Sequence, residues 1–134
     1  MAKIRFWKDE AKRTVDPMLF SDKAAKLSKE MAEECEKSRR RVNKRTQIRR
    51  FYDEVMRLAI ASKNPNADWE AVLPLVHMLV AKAAYARGRE LVSDTFVEFI
   101  RSSIEQVKDP RDLGVFSNFF EAFMGFYRQD CPVN

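Results

Sequence analysis

The chain has 134 residues, 46% of them hydrophobic and 34% charged, with only three glycines and five prolines. That balance favours a helical globular protein over a disordered one and predicts a single helical domain over residues 1–134. Its net charge of +5 divides unevenly: residues 1–57 hold 17 Lys+Arg against 10 Asp+Glu, while residues 58–134 hold 8 against 10. Either a polyanionic partner faces the first half, or that half is a solvated basic surface. No apolar run approaches the roughly 18 residues that cross a membrane. The N-terminus lacks the apolar core of a secretory signal, so a cytoplasmic protein without membrane contact is expected. Cys35 and Cys131 have neither disulfide nor metal-ligand spacing and read as reduced, inert thiols.

Along the chain, residues 1–20 carry Phe6, Trp7, Leu19 and Phe20 in a charged setting and predict an arm that docks through its aromatics. Ser21 caps a helix running to about Arg40, with Ala24, Leu27, Met31 and Cys35 on one face and a basic end at Lys37, Arg39, Arg40 and Arg41. Cations are favourable at a helix C-terminus, so that cluster has a structural explanation. This stripe is thin, so residues 1–43 are expected at the periphery and residues 44–134 in the bundle core. After a turn at Val42-Asn43, Thr46 reads as an N-cap, with Ile48, Phe51, Tyr52, Val55, Leu58 and Ala59 at helical spacing to about Ser62.

The Asn64-Pro65-Asn66 turn follows, and Asp68 caps a helix whose core face is Trp69, Val72, Leu73, Val76, Val80, Ala83 and Ala84. Pro74 predicts a kink or a late start there, and Gly88 a left-handed stop. From Ala71 to Ala86 only Lys82 is charged, so this helix is expected to be central or covered by a second chain. Ser93 opens a helix with Phe96, Phe99, Ile100, Ser103, Ile104 and Val107 on one face. Asp109-Pro110 opens the last one, which carries Phe116, Phe119, Phe120, Phe123 and Tyr127 as core. No segment alternates with period two. The expected fold is all-α, a compact bundle of four to five helices with an N-terminal basic arm and helix.

The chemistry is that of binding. His77 is the one histidine and lies among apolar neighbours, where a core or interface residue satisfied by a carbonyl is expected. There is no Gly-rich phosphate loop, nucleophile elbow or metal-ligand cluster, so no enzyme, cofactor or metal is expected. The Thr46 helix gathers Lys44, Arg45, Arg49 and Arg50 around its start, where the unpaired N–H groups already carry about half a positive charge. Acids come only at Asp53 and Glu54. That arrangement suits a phosphate. With Ile48 at the centre of the buried face, Arg50 and Arg57 project nearly opposite it, roughly 10 Å apart. The alternative is a set of intrahelical ion pairs, Arg49–Asp53, Arg50–Glu54 and Asp53–Arg57. Lys82 is either a rim residue or a phosphate contact. Arg87 and Arg89 either complement a helix C-terminus or form a fork around Gly88.

Thr46-Gln47-Ile48-Arg49-Arg50-Phe51-Tyr52 resembles the T-x-Q-[IL]-R-[KR]-[FI]-[YL] helix start of the small subunit of type III-A CRISPR–Cas (Csm) effector complexes. Lys82-Ala83-Ala84-Tyr85-Ala86-Arg87-Gly88-Arg89 is similar to the same family's K-x-A-Y-x-x-G-R stretch. The Asp16-Pro17-x-Leu19-Phe20-Ser21 segment and the closing Phe116-x-x-Phe119-Phe120-Glu121-Ala122-Phe123 also fit, in the expected order. The resemblance implies a non-catalytic helical subunit that stacks in copies along a guide RNA–target RNA duplex and touches backbone, not base edges. It implies Arg49 and Arg50 as one basic pair and Lys82, Arg87 and Arg89 as the second contact set. Lys44, Arg45 and Arg57 join them on physical grounds. Guide RNA, target RNA, neighbouring complex subunits and further copies of the chain, stacked or as a dimer, are the expected partners. The alternative is a helix-turn-helix DNA-binding regulator with the Gln47–Arg57 helix in the major groove.

Overall fold

Three of the expected caps set where three helices begin. Asp68 accepts a hydrogen bond from the Glu70 N–H, Ser93 from the Phe96 N–H and Asp109 from the Asp112 N–H, each satisfying a donor that the first helical turn leaves free. In the computed structural model, which describes residues 3–134, five α-helices follow a short antiparallel hairpin of β1 (Trp7–Asp9) and β2 (Thr14–Val15). They are α1 (Ala24–Lys37), entered through a π-helical turn at Leu19–Lys23, α2 (Arg45–Ser62), α3 (Trp69–Gly88), α4 (Asp94–Ile104) and α5 (Pro110–Asp130).

Helix α5 is packed by α1 and α2, while α3 lies against α4 and α2. The core between them is aromatic. Phe96, Phe99, Phe116, Phe119, Phe120, Phe123 and Tyr127 are all fully buried, with ring centroids 4.9 Å apart for Phe51–Phe96 and 5.2 Å for Phe99–Phe120. Edge-to-face geometry dominates these contacts, as the ring quadrupole favours. Cys35 and Cys131 are free and buried, and burial beside Cys131 pushes the Cys35 thiol up to about 11, so thiolate is scarce at neutral pH.

Several expectations require correction. Phe6, Leu19, Leu27, Met31 and Cys35 enter the same buried cluster as the later helices. The hairpin escaped notice because strands of three and two residues are too short to show alternation. It is anchored by Arg13, which pairs with the buried Asp112 and lies with its guanidinium 4.8 Å from the Trp7 ring centroid. Helix α1 ends at Lys37, not Arg40. The Arg40 N–H reaches the Cys35 carbonyl (2.8 Å) and the Arg39 N–H the Glu36 carbonyl (3.0 Å), a Schellman closure with Arg39 at φ 61° where glycine is usual. Helix α3 closes the same way, with Glu90 at φ 60° taking the left-handed position expected of Gly88. It starts at Trp69 and continues through Pro74.

Helix α3 is also not central. Only Val76, Leu79, Ala83 and Ala86 are buried on it; Ala84 and His77 are exposed, as are Leu75, Met78 and Tyr85. His77 is therefore a surface residue on the solvent side of an apolar helix.

Candidate functional site

Helices α2 and α3 run side by side and leave a surface groove of about 290 Å³ between them. Its floor is apolar, made by Phe51, Leu79 and Ala86, while its walls carry Gln47, Arg50 and Glu54 from α2 and Lys82, Tyr85 and Arg89 from α3 and its cap. The helical period explains the arrangement. Phe51 faces the core, and Arg50, one residue and 100° away, swings out to the rim. On α3 the same step separates buried Ala83 and Ala86 from exposed Lys82 and Tyr85.

Glu54 is the only acid lining the groove, and its charge is engaged: one carboxylate oxygen lies 3.0 Å from Arg57 Nε, the other 2.8 Å from Arg57 Nη2 and 3.6 Å from Lys82 Nζ. The Arg57 hydrogen bonds hold the Glu54 carboxyl below the ordinary glutamate range, with Lys82 adding to the effect against partial burial. Arg50 makes no ion pair or side-chain hydrogen bond among the described residues, so the expected Arg50–Glu54 pair is absent and Glu54 turns to Arg57 instead. The Arg89 guanidinium lies 5.8 Å from the Tyr85 ring centroid. The groove thus presents Arg50, Lys82 and Arg89 against one neutralised carboxylate.

The start of α2 differs from the expectation in a way that matters for the site. Lys44, not Thr46, is the N-cap residue, and no side chain caps this helix. The Arg45 N–H donates to the Val133 carbonyl (3.0 Å), and the Gln47 and Ile48 N–H groups to the Lys44 carbonyl. The chain's own C-terminal segment therefore occupies part of the donor ring that an anion would have used. Arg45 is taken up there too, donating to the Asn134 Oδ1 (2.6 Å) and the Arg128 carbonyl (3.4 Å). Arg49 points to the flank of α2 away from the groove, 4.0 Å from Asp53 and beside Arg45 and Arg128. Lys44 is half-buried at the helix entry.

Of the eight cations singled out from the sequence, Arg50, Lys82 and Arg89 converge, with Arg57 bound to Glu54 at their edge. Arg45 and Arg49 form a second patch. Arg87 is separate: its Nε lies 2.6 Å from Asp94 Oδ1 on the α4 side of α3. Glu54 was expected to pair with Arg50 but serves Arg57 and Lys82, and Tyr85 was not singled out. The signal for Tyr85 was available, since Lys82, Tyr85 and Arg89 recur at three and four residues and so share one stripe.

Among the described residues, no group of three or more His, Cys, Asp or Glu side chains could hold a metal ion, and no helix is long and apolar enough to cross a membrane. The sequence model of the family described as Csm2 Type III-A matches residues 20–131. No curated protein and no solved structure matches the chain.

Proposed function

The chain belongs to the Csm2 Type III-A family, and from that premise we propose that it binds guide and target RNA through the ribose-phosphate backbone, without sequence preference. Membership supports the role of small subunit in a type III-A CRISPR–Cas effector complex, and such subunits are generally non-catalytic structural components. The observation that carries the RNA reading is the α2–α3 groove, where Arg50 stands without a carboxylate partner opposite Lys82 and Arg89. Arg57 joins when phosphate displaces Glu54. Arg45 and Arg49 offer a second backbone contact beside Arg128, with Lys44 at the helix entry. Arg87 serves α3–α4 packing through Asp94 and is the weakest of the eight as an RNA ligand.

Self-association is the second part of the proposal. Leu75 and Met78 on α3 expose 48% and 49% of their surface and Ile60 on α2 exposes 65%, and exposed apolar side chains of this kind suit another copy or a neighbouring subunit. The DNA-regulator alternative is not favoured. Helix α2 is flanked by α3 and α5, with Arg50 on a groove wall and Arg45 and Arg49 in a separate patch, so its cations do not stand together on a protruding recognition helix.

The test is the salt dependence of RNA binding by the full chain. A backbone binder loses affinity linearly in log[salt], by about 0.7 per phosphate contact on a single strand. Arg50→Ala and Lys82→Ala should each lower the slope by about that amount, equally on unrelated sequences. Arg87→Ala should leave it unchanged. A slope indifferent to Arg50 and Lys82, or a loss confined to one sequence, refutes the reading.

A further inference from the structure

The exposed face of α3 changes character along its length. Its first half shows Leu75 and Met78, while its last two turns and cap show Lys82, Tyr85 and Arg89 in one stripe. Tyr85 exposes 68% of its surface, more than any other large apolar side chain among the described residues, and its hydroxyl makes no hydrogen bond there. Nothing in the packing of the bundle requires a ring at this position. Its neighbours are cations: Arg89, 5.8 Å from the ring centroid, Lys82 one turn earlier, and Arg50 across the groove.

A flat aromatic face set among cations is what a single-stranded nucleic acid uses, since each base offers a π-face while the backbone needs counter-charge. An apolar protein surface fits less well, because covering Tyr85 with it would strip water from Arg50, Lys82 and Arg89 without supplying opposite charge. A paired A-form duplex fits less well too, because its bases are stacked inside the helix, closed to an outside ring. The groove volume of about 290 Å³ lies at the lower edge of small-ligand pockets, enough for one nucleotide and not for a helix.

Resting on the RNA-binding reading above, we propose that this groove takes one unpaired nucleotide of an RNA strand, its base stacked on Tyr85 and its phosphate among Arg50, Lys82 and Arg89. The residue thereby distinguishes unpaired from paired RNA, which the cations alone do not.

Fluorescence anisotropy of the full chain with a labelled single-stranded oligouridylate and with a blunt RNA duplex of equal length tests this. Tyr85→Ala is expected to weaken single-strand binding by roughly five- to a hundredfold, with Tyr85→Phe near the parent and duplex binding moved less than about twofold by either. Arg50→Ala should weaken both RNAs. Because Tyr85 is exposed, the circular dichroism melts of its variants should match the parent. Equal losses on single strand and duplex overturn the stacking site, as does a Tyr85→Phe variant as weak as Tyr85→Ala. Unchanged single-strand binding by Tyr85→Ala, with Arg50→Ala still weak, also overturns it and leaves the backbone reading intact. If Tyr85→Ala instead abolishes self-association with RNA affinity unchanged, the ring belongs to a protein interface. Absence of binding to either RNA by the parent at low salt overturns both readings.

Discussion

Asn43 sits where the chain turns from α1 into α2, fully buried and at φ 64°. Its side chain donates to the Ser93 hydroxyl (3.0 Å) and the Met31 carbonyl (3.3 Å) and accepts from the Ser93 N–H (3.0 Å). Its backbone N–H donates to the Leu91 carbonyl (3.0 Å), and its carbonyl accepts from the Tyr127 hydroxyl (2.5 Å). One residue thus ties the start of α2 to Leu91, which lines the groove at the end of α3. Asn43→Ala removes the side-chain bonds, each worth about 1 kcal/mol net, and places alanine in a left-handed conformation that costs about 1 kcal/mol more. The sum is about 3 to 4 kcal/mol. With an unfolding entropy of about 2.1 cal/mol/K per residue, the melting temperature of a chain this size should fall by roughly 10 °C or more. Asn43→Gly loses the same bonds but adopts the left-handed geometry freely, so the expected order is Asn, then Gly, then Ala. Thermal melts followed by circular dichroism decide it. An alanine variant within about 2 °C of the parent, or one more stable than the glycine variant, would falsify the assignment of Asn43 as the hub of this junction.

Three further outcomes concern the groove and its surroundings. Glu54→Gln frees Arg57 and Lys82 from their shared carboxylate, so RNA affinity at low salt should rise by about two- to fivefold, from one charge removed at the edge of a phosphate site. The pH dependence has a definite sign: Glu54 titrates lower in the folded chain, so its contribution to stability is present above the ordinary glutamate pKa of about 4.3 and is lost as pH falls through the lower native value. Glu54→Gln should flatten that part of the acid unfolding curve; a steeper curve, or weaker RNA binding, counts against the arrangement. Met78→Glu, on the apolar half of α3, should weaken self-association by at least about tenfold in sedimentation equilibrium while leaving the salt slope of RNA binding unchanged. A parent chain that is monomeric at high concentration removes the basis for that expectation.

Features governed by local rules were legible in the sequence. Asp68, Ser93 and Asp109 could be read as caps because a cap acts within one turn, and the Phe116–Tyr127 stripe as core because a helix repeats its face. Features set by distant contacts were not. Thr46 lost the cap position because the chain passes through Asn43 and Lys44 into α2 while Val133 reaches back to the Arg45 N–H, an encounter visible only in three dimensions. The ends of α1 and α3 were misplaced because Arg39 and Glu90 hold the left-handed turn usually signalled by glycine. In the candidate site, helical facing turns Arg50 away from the buried stripe, while Lys82 and Arg89 were singled out through the resemblance of the Lys82–Arg89 stretch. Arg87 did not separate from Arg89, since the residue that removes it, Asp94, belongs to the next helix.

The charge at the α2 start therefore has a different meaning from the one its density suggests. Arg49 and Arg50 are adjacent in sequence, yet a helix turns 100° per residue, which sends them to different flanks. One meets Arg45 and Arg128, the other Lys82 and Arg89. A single phosphate at the helix start cannot use both, and its donor ring is partly filled by Val133. Two contact lines on either side of α2 suit a strand or duplex that passes across the helix, with each flank taking a different part of the backbone. The exposed apolar surface of α3 begins where the groove cations end, at Met78, so RNA contact and chain–chain contact need not compete for the same side chains. On the proposed reading, in which one chain holds RNA and a neighbour at once, the step of α2 and the two-part face of α3 keep the two surfaces apart.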